Sequence, residues 1–450
     1  MKKNRTLIWG FDNNFCLDIL KEFKKHFTFS YVVNSHSQFS HTSIQKLTVN
    51  AELLKYQINP IILKNYHKFF NEHFIQFYTK IVSRGINLRN LHEVKNEFSM
   101  YLHFFYNLIS QKKINLIIMQ SMPHQGPDYI IYILAKFFKI KIIMFYQTLF
   151  ANKYFILKNI DELGKNKTNK NKKYRTFSFK EIKNNELARY TSMVEAVHTY
   201  NNSRNKRQST LNHQIRSKIR NLLIKSRVIS RIDEQKKYLK NLDNFVYKKN
   251  INSLLKKKFV YFPLHDQPEL TTSTLGGIYE DQVFALEKLR NIIDDDCSIV
   301  IKEHHFQGFF QRENLFFQRI RKIKNLYMVP KNYSSNLLIK KCLFCSTIVG
   351  TAGWEALLEK KKSLIFGNSW YQKIHGCITY NDSLNKNKLK KLIKKRFDTK
   401  LFSKSYSKLI GSMFEGVISP YYTYLLKKFD NKKNAKNVTR DVIKILKNYN

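Results

Sequence analysis

Cysteine is scarce: Cys16, Cys297, Cys342, Cys345 and Cys377 are the only five in a chain of 450 residues. An odd number in a chain this long argues against a disulfide framework. The single C-x-x-C, Cys342 and Cys345, has no second pair with which to build a zinc site and reads as packing. Long apolar runs are also missing. A membrane helix needs about 20 such residues, and the longest candidate, Tyr129 to Tyr146, is broken by Lys136, Lys139 and Lys141. At the start, Met1-Lys2-Lys3-Asn4-Arg5 is basic, but the apolar stretch Thr6 to Gly10 is too short for the h-region of a signal peptide. The expected location is therefore the cytoplasm, with an anionic membrane surface as an expected resting place.

Acidic residues are few, 33 Asp and Glu against 80 Lys and Arg, for a formal net charge of +47. A polyanion partner would explain this excess, and so would a compositional drift towards Lys, Asn, Ile and Phe, because charge fixes association rather than chemistry. The excess is uneven. Residues 201–260 hold 17 basic and 3 acidic residues, a net of +14, whereas 261–310 hold 3 and 9, a net of −6. A uniform nucleic-acid coat would not look like this, and aromatic-studded basic motifs are missing, so no nucleic-acid partner is expected. Apolar residues make up 43% of the chain, enough for real cores.

The patterning predicts two parallel-sheet domains. Arg5 to Gly10 reads as a buried strand ending in a turn. Ile114 to Met119, the loop Ser121 to Pro127, a helix from Asp128 to Phe138 and the run Lys141 to Phe145 make a βαβ unit. Between 156 and 257, Gly and Pro almost vanish. Asn166 to Lys173 reads as a solvated loop, and Lys218 to Leu242 as one or two basic helices. From Lys258, strand and helix patterns alternate regularly as far as Phe366, the mark of a doubly wound sheet. The expected division is 1–155 as an N-terminal Rossmann-like domain and 156–257 as a basic helical insertion. A C-terminal Rossmann-like domain follows over 258–385, then C-terminal helices over 386–450, interrupted at Pro420. The expected fold class is α/β and GT-B-like, an outline that epimerases and other nucleotide-binding enzymes share.

The candidate chemistry lies in loops after strands. In Val349-Gly350-Thr351-Ala352-Gly353-Trp354-Glu355, a strand ends, a turn of small residues follows and a helix begins. Its backbone N–H groups and helix dipole make an anion site. Gly350 and Gly353 would let a phosphate approach, Thr351 would cap the helix or bond a phosphate oxygen, and Glu355 would accept from a ribose. An ordinary small-residue turn has the same look. In Lys302-Glu303-His304-His305, also after a strand, His304 would donate to a phosphate and Lys302 would neutralise charge. The loop Phe262 to Glu269 supplies His265, Asp266 and Glu269 as acid–base candidates, or else a Pro-stiffened connector. His124 occupies the corresponding loop of the first domain. Asp294-Asp295-Asp296 contains an Asp-x-Asp but precedes a strand, and reads as a solvated turn with no metal.

These segments resemble the capsule polysaccharide biosynthesis protein family, which includes bacterial Kdo transferases. The likeness rests on Tyr261-Phe262-Pro263-Leu264-His265-x-Gln267-Pro268-Glu269, Leu275-Gly276-Gly277, Lys302-Glu303-His304, Gly350-Thr351-Ala352-Gly353-Trp354-Glu355-Ala356-Leu357 and Phe366-Gly367-Asn368-x-Trp370-Tyr371. The family pattern has Pro where this chain has His305. The resemblance implies a GT-B glycosyltransferase that moves a sugar, Kdo or a related acid sugar, from a nucleotide-activated donor, here CMP-activated, to a lipid-linked or oligosaccharide acceptor. It implies no cofactor besides that donor and no metal, since a helix N-terminus and a histidine can stabilise a leaving phosphate. A non-catalytic assembly or export factor is the alternative that the family name also covers.

Overall fold

A computed structural model describes residues 4–35, 38–48, 52–82, 90–150, 152–165, 175–184, 232–267, 269–309, 311–426 and 428–449. The chain forms two compact units, one of residues 1–168 with 410–450 and the other of 169–409.

In the first unit, β1 (Arg5–Trp9), β2 (Thr28–Val33), β3 (Leu116–Met119) and β4 (Lys141–Gln147) are parallel in the order β2-β1-β3-β4. Their apolar runs are continuous because helices cover both faces. β5 (Lys153–Leu157) and the two-residue strand Phe414–Glu415 add antiparallel edges. Strand order turns back between β1 and β3. There Gly10 and Phe11 adopt positive φ, and the Gln120 side chain accepts from the Phe11 N–H. The closing helix Asn431–Lys447 puts Val438 and Val442 into the core beside Ile19, Leu20 and Phe23. In the same region Tyr154 donates to the Asp441 carboxylate at 3.0 Å.

The second unit has six parallel strands: β6 (Phe259–Pro263), β7 (Ser298–Lys302), β8 (Leu326–Val329), β9 (Cys345–Thr347), β10 (Ser363–Ile365) and β11 (Cys377–Thr379). They run in the order β11-β10-β9-β6-β7-β8, the doubly wound Rossmann order, which reverses between its first and fourth strands, β6 and β9. Cys342 and Cys345 are buried in its core with Tyr261, Val300 and Ile339. Trp354 is fully buried, its ring stacked near those of Phe402 and Tyr406 at 5.9 and 6.0 Å.

The α/β class with two Rossmann-like sheets is thus present, and two such units in one chain are the make-up of GT-B-like proteins. The element boundaries differ from the sequence reading in instructive ways. β5 crosses the expected boundary at 155/156. Residues 175–184 and 232–257 pack on the second unit, through pairs such as Phe179 with Phe402 and Tyr247 with Tyr327. The tail 386–450, read as one helical block, divides: Lys386–Lys394 and most of Thr399–Ser412 belong to the second unit, and the last helix to the first. The apolar stripe of each helix decides which core it completes. Pro420 opens a short 3-10 helix, Pro420–Leu425, instead of breaking a longer one. Residues 232–245 are helical, while residues 166–173 and 218–231 of the expected loop and basic helices lie outside the described residues.

Because the last helix completes the first core, Val438→Asp should cost roughly 4 kcal/mol or more by burying an unpaired carboxylate. Calorimetry of the full chain should show the first unit's transition lost or shifted down, and that of the 169–409 unit retained.

Candidate functional site

The second unit reverses its strand order between β6 and β9, and open α/β sheets bind ligands outside the carboxyl ends of the strands at such a point. Three loops meet there. The loop after β6 carries His265 and Asp266, β7 ends at Lys302 and the loop after it carries Glu303 to Gln307, and the turn after β9 leads into the helix Thr351–Leu358.

His265 joins the first loop to the third. Its Nε2 accepts from the Val349 N–H at 3.4 Å and lies 3.3 Å from the Thr347 hydroxyl, which itself accepts from the Gly350 N–H at 3.1 Å. Burial, with His304 and Arg312 nearby, pulls its pKa down from 6.5 to about 3. The ring is neutral and serves as an acceptor. In this arrangement His265 clamps the turn.

A buried polar network holds the loops. The Arg312 Nε donates to the Glu303 carboxylate at 2.8 Å, and both side chains are wholly buried. Arg312 also donates to the Gln267 Oε1 at 2.7 Å and to the His265 carbonyl at 3.1 Å. Gln282 clasps the same loop, accepting from the His265 N–H at 2.8 Å and donating to Gln267 at 2.6 Å. Gln307 accepts from the Gln267 N–H at 2.8 Å. Buried charge and amide groups require such satisfaction.

His304 follows Glu303 on this frame. Its Nδ1 takes the Phe306 N–H at 3.4 Å and stands 3.9 Å from the Asp266 carboxylate. In the neutral ring that leaves Nε2 as the N–H donor. Burial lowers its pKa, against the raising effect of Asp266 and Glu303. His305 is exposed, its ring beside Phe306. Lys302 is half-buried and donates to the Tyr333 carbonyl at 3.0 Å. Burial lowers its pKa, and the nearby Glu355 opposes that shift.

Gly350 is the N-cap of the Thr351–Leu358 helix, and no side chain caps it. Thr351 is therefore the first helical residue, not the cap. Glu355 sits beyond the first turn, facing the charge of Lys302. The two glycines are small for a reason other than ligand approach. A Cβ on Gly353 would strike the Tyr371 hydroxyl and lie 2.5 Å from the Ser363 Oγ, and one on Gly350 would lie 2.8 Å from the His265 Nε2. Both point inward, and the Val349, Gly350 and Gly353 N–H groups are bonded within the turn, so a ligand would meet the amides of Thr351 and Ala352. Gly353→Val would hit the core and would not be a clean test of binding.

Glu269 opens the short helix Leu270–Ser273, where its backbone is bonded to Thr272 and Ser273, and Pro268 lies outside the described residues. Asp294 to Asp296 occupy a helix-to-strand turn, where Asp294 pairs with Lys386 and Lys390. Among the described residues no group of three metal-ligating side chains assembles. In the first unit, His124 has its Nδ1 2.7 Å from the Met122 carbonyl. Asp128, at the head of the next helix, accepts from the His124 and Gln125 N–H groups at 2.8 Å each. Sequence reading missed Arg312, Gln282 and Lys331. Lys331 donates to the Gln307 carbonyl at 2.9 Å and adds positive charge beside His304. Their one signal was polar residues within otherwise apolar helix and loop patterns.

The model of the capsule polysaccharide biosynthesis protein family matches residues 152–414, more than half of the chain and the whole of its second unit, and the chain belongs to that family. Among solved structures it is similar to the beta Kdo 2,7 transferase of KpsC from Thermosulfurimonas dismutans, with 8% identity, a TM-score of 0.36, and 99% of this chain and 100% of that one covered. The beta Kdo 2,4 transferase of the same KpsC gives 10%, 0.30, 66% and 79%. UDP-GlcNAc 2-epimerase from Methanocaldococcus jannaschii gives 14%, 0.25, 98% and 99%. Likenesses at this level do not reach chemistry. No curated protein matches the chain.

Two outcomes follow from this geometry. Arg312→Met strands the buried Glu303 carboxylate and should cost about 3–5 kcal/mol in urea unfolding, with Glu303→Gln in the same chain recovering part of it. His265, neutral when folded, takes up a proton on unfolding below pH 6.5. Stability should therefore fall as pH drops from 6.5 towards 3, and less steeply in His265→Gln.

Proposed function

We propose that this chain is a glycosyltransferase of capsule or surface polysaccharide biosynthesis, with a nucleotide-activated sugar bound at the β6–β9 edge of its second unit. The observation behind this reading is the convergence, at the point where strand order reverses, of an uncapped helix N-terminus with His304, Asp266 and Lys302. The Thr351 and Ala352 amides and the helix dipole suit the donor's phosphates, and Lys302 adds a positive charge. His304 Nε2–H is the group to meet the negative charge that develops on the leaving phosphate, and the nearby Asp266 charge favours the ring's charged form. Asp266 is the carboxylate we assign to take the acceptor's proton, with Glu269 as a second candidate whose side chain is engaged by the Thr272 N–H in the cap of its own short helix. Glu355, one turn into the helix, suits the ribose hydroxyls. His124 is the candidate acceptor-side residue of the first unit. The donor sugar we favour is Kdo or a related acid sugar carried on CMP, which rests on the sequence motifs. The acceptor would then be a lipid-linked or growing glycan. No helix among the described residues is long and apolar enough to cross a membrane, so a lipid-linked acceptor would be met at a surface.

The test is turnover of CMP-, UDP- and GDP-sugars by the full chain, read as nucleotide release with a glycolipid acceptor. His304→Ala should lower kcat by about 10²–10³-fold, the usual loss for one such donor, while donor affinity changes much less. His305→Ala should have little effect. Full turnover by His304→Ala would remove the histidine from the chemistry. Binding without turnover across the whole donor panel would favour the non-catalytic assembly factor.

A further inference from the structure

The 169–409 unit has a second concave feature, built from none of the loops described above. Helix Thr399–Ser412 places Lys400, Lys404 and Lys408 at four-residue spacing, so one helix face carries three ammonium groups over about 12 Å. All three are exposed, and they form one wall of a groove of about 660 Å³ whose other wall is the segment Thr176 to Phe179. Ser403 lies between the lysines, and Ser407 beneath them is buried and donates to the Ser403 carbonyl at 2.9 Å. Phe177 and Phe179 are half-buried in the opposite wall, Phe177 with its ring edge-on to Tyr406 at 5.3 Å and the Arg175 guanidinium 4.8 Å from its centre. No acidic residue lines the groove. Two carboxylates lie beside it: Glu181 accepts from the Ser178 N–H at 2.7 Å, and Asp398 accepts from the Lys400 and Leu401 N–H groups at 2.8 and 3.0 Å.

Ammonium groups in a row, hydroxyls between them and aromatic faces opposite are the recognition set for a sugar that bears carboxylates. The lysines meet the charge, Ser403 exchanges hydrogen bonds with hydroxyls and the rings cover apolar C–H faces. A flat lipid surface would meet a ridge better than a groove with recessed rings. We propose that this groove binds a segment of acidic polysaccharide, gripping the polymer at a place separate from the donor site. The proposal does not depend on the donor-site reading.

The probe is size-defined polysialic acid, a polymer of carboxylated sugars, titrated into the full chain by calorimetry at low and high salt. Wild type should bind it, more weakly as salt rises. Lys400→Gln/Lys404→Gln/Lys408→Gln should lose at least tenfold in affinity. Lys432→Gln/Lys433→Gln/Lys436→Gln, which removes the same charge from exposed sites on the last helix, should lose less than twofold. Ser403→Trp, which fills the groove at constant charge, should also lose at least tenfold. Thermal unfolding checks that each variant is folded. Equal losses in both lysine triples would mean that net charge alone holds the polymer and would overturn the proposal. Absence of binding by wild type, or unchanged binding by folded Ser403→Trp, would do the same. So would vesicles of phosphatidylglycerol and phosphatidylcholine whose binding needs the three lysines when that of polysialic acid does not. CMP, UDP and GDP titrated into the same proteins report on the donor site separately, and their failure to bind leaves the polymer result standing.

Discussion

The buried Arg312–Glu303 pair is the constraint on which the candidate site depends. Each of the three site loops is irregular backbone at the end of a strand, and none could hold its shape by ladder hydrogen bonds. Arg312 supplies the missing partners. One guanidinium reaches the Glu303 carboxylate, the Gln267 amide and the His265 carbonyl, tying the loop after β6 to the loop after β7. His265 carries the tie across to the turn after β9. A buried ion pair of this kind adds little net stability over apolar packing, yet removing one partner is costly. Its contribution here is to fix where His304, Asp266 and the turn amides stand.

Much of the second sheet was legible because its strands are buried on both faces and separated by short amphipathic helices. The runs at 259–263, 298–302 and 326–329 need no context to be seen. β11, Cys377–Thr379, is three residues long and only half-buried, so it carries no pattern. In the first unit, β2 starts with Thr28 exposed and Phe29 and Ser30 half-buried, which hides it. The split of the C-terminal helices was out of reach for a different reason: an amphipathic stripe shows that a helix is buried on one side without naming the core that buries it.

The candidate site was legible as motifs but not as roles. Sequence spacing located His265, His304 and the Gly350 turn, since all follow strands. It could not show that the His265 ring is enclosed and neutral, nor that Gly350 and Gly353 are small because side chains press on them from within. Those facts arise from contacts 80 or so residues apart in the chain, as in the bond from Val349 to His265. The polar frame was invisible for the same reason: Gln267, Gln282, Gln307 and Arg312 are dispersed, and none belongs to a recognisable spacing.

If the point where β6 and β9 diverge is the donor site, a bound nucleotide must quiet its loops. Hydrogen–deuterium exchange of the full chain, with and without millimolar CMP, UDP or GDP, reads this directly. The account predicts slowed exchange in 263–267, 302–307 and 349–356 with at least one of the three, and little change at the groove of Lys400, Lys404 and Lys408. Unchanged exchange in all three segments with every nucleotide, or protection confined to residues 1–168, would contradict it.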